Sequence, residues 1–129
     1  MYSPLFWIEW FDRLDRVLTS ARRDVAVLKR AVSPRSLESI GRSKRQLCAL
    51  INDLRLLDRD VLAAGEARNG ADSLEKALDA TVVQLGSLAG IPAASAPGVL
   101  DGMLAASDSA LRDSCYEAAM LLEPKRRRA

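Results

Sequence analysis

The sequence predicts an all-α fold, an antiparallel four-helix bundle with a long N-terminal helical hairpin. Three observations predict it. Apolar residues recur in alternating steps of three and four through four stretches, the spacing that lines one face of a helix. Leu and Ala dominate a 49% hydrophobic composition with only 5% aromatics, whereas strands draw on β-branched and aromatic residues. Three breaks, at Ser33-Pro34, Asn69-Gly70 and Gly90-Ile91-Pro92, separate the stretches. The 129 residues make one domain over 1–124 and a basic tail over 125–129. A chain of this size buries roughly two thirds of its unfolded surface, so no metal or disulfide is needed to hold it.

The first helix is expected from about Pro4 to Val32. Trp7, Phe11, Leu14, Leu18, Ala21, Val25, Leu28 and Val32 share one stripe, which Ile8 and Val17 widen. Ser33 followed by Pro34 is a start signal, because a serine caps the orphan amides and proline suits the first helical position. The second helix then carries Ile40, Leu47, Leu50, Leu54, Leu57, Val61 and Ala64, and Asn69-Gly70 is expected to stop it. Asp72-Ser73-Leu74-Glu75 reads as a capping-box variant opening a third helix with Leu74, Leu78, Thr81, Val82, Leu85 and Leu88. Residues 92–98 form a linker. The fourth helix carries Leu100, Leu104, Leu111, Cys115, Ala118 and Leu122, and Glu123-Pro124 is expected to end it. At about 1.5 Å per residue the first two helices reach ~40–50 Å and the third only ~25 Å, so the Ser33-Pro34 tip is expected to project.

The residue types exclude much chemistry. The chain has no histidine, the usual general base near neutral pH and the commonest metal ligand. Its two cysteines, Cys48 and Cys115, form no C-x-x-C and read as free, buried thiols of a reducing compartment. The carboxylates Asp58/Asp60 and Asp108/Asp113 have no metal-ligand spacing. No catalytic residue, cofactor or metal is expected. The N-terminal apolar run lacks a basic flank and a cleavage site and is too short to span a bilayer, so a cytoplasmic location is expected.

The charge is segregated. A net charge of +2 combines residues 13–45, with ten basic and three acidic residues, residues 46–123, with five basic and twelve acidic ones, the first twelve residues at −2 and the tail at +4. The blocks carry +7 and −7. Arg16, Arg23 and Arg30 recur every seven residues, as do Arg22 and Lys29, so each set lines one side of the first helix. The basic block straddles the first interhelical turn and is expected to gather into a pole. Arg22, Arg23, Lys29, Arg30, Arg35, Arg42, Lys44 and Arg45 are the expected contacts to nucleic-acid backbone, RNA or DNA, since arginine offers forked donors to phosphate. An acidic protein surface would also suit this pole, and part of the charge is that of ordinary solvated helices with i,i+4 pairs such as Glu9–Arg13 and Asp12–Arg16.

Phe6-Trp7-Ile8-Glu9-Trp10-Phe11 gathers both tryptophans and both phenylalanines. Phe6 and Trp10 fall off the stripe and are the expected partner-binding residues of an alternative function: a protein–protein adaptor, chaperone or inhibitor docking through this aromatic end.

In build, the long hairpin Leu14–Val32 with Ile40–Val61 and the basic set Arg22 to Arg45 resemble the small helical subunits of CRISPR effector complexes. The resemblance implies a non-catalytic subunit of a ribonucleoprotein, contacts to nucleic-acid backbone, larger protein subunits as partners and further copies of itself.

Overall fold

The structure is a computed structural model. It describes the backbone of residues 4–60, 66–91 and 97–128, and the side chains of 8–55, 72–91 and 98–121. Four helices follow in order: α1 (Pro4–Arg30), α2 (Pro34–Asp60), α3 (Glu66–Ala89) and α4 (Pro97–Arg128). Each packs against its two neighbours in a closed ring, α1 on α2 and α4, α3 on α2 and α4, while the diagonal pairs stay apart. Trp10 meets Leu50 and Asp24 meets Ser39, so α1 and α2 are antiparallel. Arg55 meets Glu75 and Gly41 faces Ala89, so α2 and α3 are too. Contacts of Lys29 with Asp108 and of Arg22 with Cys115 close the ring the same way. The fold is therefore the expected all-α, up-down-up-down four-helix bundle.

The apolar stripes meet at its centre. Leu14, Leu18 and Leu28 of α1, Ile40, Leu47 and Leu54 of α2, Leu74, Leu78, Leu85 and Leu88 of α3, and Leu104 and Leu111 of α4 are all buried in one cluster. Burial of such a side chain stabilises by about 1.5–3 kcal/mol, which makes this cluster the main source of cohesion. The expected stripe of α1 is buried from Phe11 to Leu28, with Val17 widening it, and the structure adds Trp10 to it. Trp10 is wholly buried, whereas Ile8 and Val32 are exposed. Trp10 lies one helical turn before Leu14 and so belongs to the row Trp10–Leu14–Val17–Ala21. Its indole Nε1–H donates to the Leu50 carbonyl at 3.1 Å. Its ring meets Phe11 edge-on at a centroid distance of 5.1 Å. The exposed docking position expected of Trp10 is thus corrected. Phe6 and Trp7 lie outside the described side chains.

The seam between α3 and α4 is built from small residues. Ser107, Ala110 and Ser114 of α4 are buried, and Ala110 and Ser114 lie against the buried Thr81 of α3. Thr81 Oγ1 lies 2.9 Å from the Ala77 carbonyl, 3.0 Å from the Ala110 carbonyl and 2.7 Å from Ser114 Oγ. A hydroxyl has one proton to give, so Thr81 donates to a carbonyl and accepts from Ser114. Thr81 and Ser114 thereby satisfy each other, while the Ser107 hydroxyl is buried without a hydrogen-bond partner among the described residues.

The breaks behave unequally. Ser33 Oγ accepts the Ser36 amide at 3.1 Å ahead of Pro34, so α2 opens on the expected serine cap. Gly90 closes α3 with its amide on the Gly86 carbonyl. Asn69-Gly70 does not break the chain: both residues lie inside α3, as do Asp72 and Ser73. A glycine in a helix interior costs only about 1 kcal/mol, and the packed row Leu74–Leu88 outweighs it. Val61 and Ala64 lie outside the described residues. With 24 residues against 27 for α1 and α2, α3 spans the hairpin nearly fully, which removes the ground for a tip projecting beyond a short third helix. Nor does Pro124 end α4, which runs on to Arg128. Proline there removes one helical hydrogen bond near the terminus, where the last turn has few to lose.

Replacing Trp10 by Ala removes the largest side chain of the core and a hydrogen bond between helices. We expect a destabilisation of about 3–5 kcal/mol by urea unfolding. A loss below about 1 kcal/mol would place the indole outside the core.

Candidate nucleic-acid interface

Seven residues advance a helix by nearly two whole turns, so residues spaced by seven form a row along one side, about 10.5 Å apart. Packing decides which side each row occupies. Asp24 of α1 accepts a 2.6 Å hydrogen bond from Ser39 of α2, which marks the α2 side of α1. Arg13, Arg16 and Ser20 lie on that side. With Val17 they form one wall of an open groove of about 370 Å³, and Gln46, Ala49, Leu50 and Asp53 of α2 form the other. The rows continue away from the groove with Arg23 and Arg30 on α1 and with Arg42 and Arg35 on α2. Arg45 is exposed beside Arg42. The result is a basic face along the outer α1/α2 seam, about 25 Å from Arg13 to Arg30 at 1.5 Å per residue. It is a stripe rather than a pole confined to the interhelical turn.

The eight expected contacts divide in two. Arg23, Arg30, Arg35, Arg42 and Arg45 are exposed and form no ion pair among the described residues. The other three are drawn into neighbouring seams. Lys29 binds the Asp108 carboxylate of α4. Lys44 is half-buried with its stem over Gly86, where even an added Cβ would come within 3.3 Å of Lys44 Cε and Nζ. Arg22 reaches the half-buried Cys115 thiol of α4. Sequence reasoning placed these three correctly on their helices. It had no access to what packs opposite each one.

Conversely, Arg13 and Arg16 line the groove although they lie outside the expected set. Neither i,i+4 pair expected to neutralise them, Glu9–Arg13 and Asp12–Arg16, closes among the described residues. Ser20, Gln46 and Asp53 are also groove residues that sequence reasoning missed. The available signal was the spacing of Ser20, which follows Arg16 by four and precedes Arg23 by three on the same row.

Away from this face, α3 and α4 carry the exposed cations Lys76 and Arg112 among more numerous acidic residues. Arg55 donates from Nε to Glu75 and from a terminal nitrogen to Asp79 at 3.4 Å, tying α2 to α3. Among the described residues, no cluster of three or more Cys, Asp or Glu is placed to hold a metal ion. None of the described helices is long and apolar enough to cross a membrane. Cys48 and Cys115 are free and only half-buried.

Burial pushes the Cys115 thiol up from its ordinary value, Arg22 opposes the rise and Asp15 adds to it. A raised pKa in the fold means that the neutral thiol is preferred. The linked stability is therefore present at lower pH and is lost as pH rises through the raised value. Removing the opposing cation with Arg22→Gln should move the thiol further up. In a Cys48→Ser background, the pH midpoint of Cys115 alkylation is expected to shift to higher pH. An unchanged or lowered midpoint would contradict the contact.

No protein-family model, no curated protein and no solved structure matches this chain.

Proposed function

We propose that this chain is a non-catalytic helical subunit of a larger assembly and contacts nucleic-acid backbone, foremost RNA, through the α1/α2 face. The observation that supports this most is the row of arginines along one seam that forms no ion pair among the described residues. Arginine forks match phosphate oxygens, and a helix pair holds them at fixed intervals. The opposite charge of residues 46–123 repels a polyanion and so gives the contact a direction, one face toward nucleic acid and the other toward partner subunits. In this division of labour the chain resembles the small subunits of CRISPR effector complexes. The alternative of docking through the aromatic end has lost Trp10 as an anchor, since that indole is in the core.

The test is a salt series of fluorescence anisotropy with labelled single-stranded RNA and DNA. Wild type is compared with Arg23→Glu/Arg42→Glu/Arg45→Glu and with an Arg112→Glu control on α4. We expect binding at 50 mM salt that weakens at least tenfold in the triple variant. The slope of log affinity against log salt should shrink by about 2 for a single strand. The control should bind as wild type. No binding at low salt, or equal loss in the control, would overturn the proposal.

A further inference from the structure

A carboxylate at one end of an arginine face needs a reason. Asp53 lines the groove opposite Arg13 and Arg16, yet it forms no ion pair with either, or with any other described residue. Toward a bare polyanion Asp53 is purely repulsive. Toward a ligand that carries both phosphate and an N–H donor edge it is complementary, with arginines for the one and a carboxylate for the other.

We infer that this groove takes one unpaired nucleobase of the bound strand, with guanine preferred, while Arg13 and Arg16 hold the flanking phosphates. Base recognition here presupposes the nucleic-acid contact proposed above. Four features support it. The site is concave and lies between two helices, so it cannot enter a duplex groove, and the base must come out to it. Its volume of about 370 Å³ lies at the small end of the range for small-ligand sites and suits one base. Its buried Val17 and Leu50, with Ala49 at the rim, offer apolar contact to the face of a base, on which an arginine plane can also stack. Its polar groups are then matched in kind. The Watson–Crick edge of guanine presents N1–H and N2–H side by side, two donors for the two oxygens of Asp53. The amide of Gln46 supplies a donor for the guanine O6. Adenine, cytosine and uracil each present fewer adjacent donors to a carboxylate.

Asp53→Asn separates recognition from charge because the two make opposite predictions. If Asp53 only repels phosphate, the variant binds every polyanion more tightly. If Asp53 also reads a base, relief of that repulsion still helps the other probes, but the guanine strand does not tighten with them, and its preference is lost. The probes are a guanine-containing single-stranded RNA, an oligoadenylate of equal length, a duplex of equal length and inorganic polyphosphate, all at one low salt concentration. For wild type we expect the guanine strand to bind about tenfold tighter than the oligoadenylate, and the duplex and polyphosphate to be weaker still. In Asp53→Asn the guanine preference should fall to within about twofold. Ala49→Phe fills the groove at an exposed helix position without changing charge. It should abolish the preference and leave the salt-dependent binding in place. Tighter binding of all four probes by Asp53→Asn, or equal binding of guanine strand and polyphosphate by wild type, would overturn the inference while the backbone contact stands. Absence of binding to any nucleic-acid probe would overturn both.

Discussion

The register of α1 against α2 is the constraint from which the rest follows. Two side-chain hydrogen bonds set it, one toward each end of the hairpin. The Trp10 indole donates to the Leu50 carbonyl deep in the core, and Ser39 donates to Asp24 near the turn. The first places α1 in rotation, since a wholly buried indole leaves one face free to point outward. The second fixes which flank of α1 meets α2. Arg13, Arg16 and Ser20 are then bound to lie beside Gln46 and Asp53, and the groove is a consequence of packing rather than of any local motif. The capped start of α2 at Ser33-Pro34 keeps the connection short, so the hairpin cannot slip in register.

Charge segregation becomes directional through the same constraint. The basic block lies on consecutive, antiparallel helices, so its arginines fall on one seam instead of around the bundle. Its members on other flanks are taken up differently: Lys29 by Asp108, Lys44 by the surface of α3, and Arg22 by the Cys115 thiol. The ion pairs at Lys29 and Arg55 are exposed and screened by solvent, so they orient α4 and α3 more than they stabilise them. Stability lies instead in the apolar centre and in the small-residue seam of α3 and α4, where Thr81 and Ser114 satisfy each other out of water.

Much of the fold was legible in the sequence because helix periodicity and the Ser33-Pro34 and Gly90 signals act locally. The errors arise where a local signal competes with tertiary packing. Asn69-Gly70 is a common stop, but the leucine row of α3 carries the helix through it. Pro124 is a breaker, but close to a terminus it forfeits little. Trp10 falls off the stripe of α1 by spacing, and only the partner carbonyl of Leu50 shows why the core takes it in. The interface was legible as a set of arginines and illegible as a surface. Spacing separates Arg16, Arg23 and Arg30 from Arg22 and Lys29, but nothing in one chain's spacing says that α4 covers the second set. The groove joins residues some thirty positions apart, and that proximity exists only once two helices are packed.

The central claim is that one seam of this bundle, and only that seam, meets nucleic acid. A titration of the isotopically labelled chain with a short single-stranded RNA, followed by backbone amide and arginine Nε–H NMR signals, tests it most directly. The account predicts perturbations over residues 13–30 and 35–53, strongest at Arg13, Arg16, Arg23 and Arg42, with α3 and the outer face of α4 unmoved. Perturbations centred on α3 or α4, or none at low salt, would contradict it.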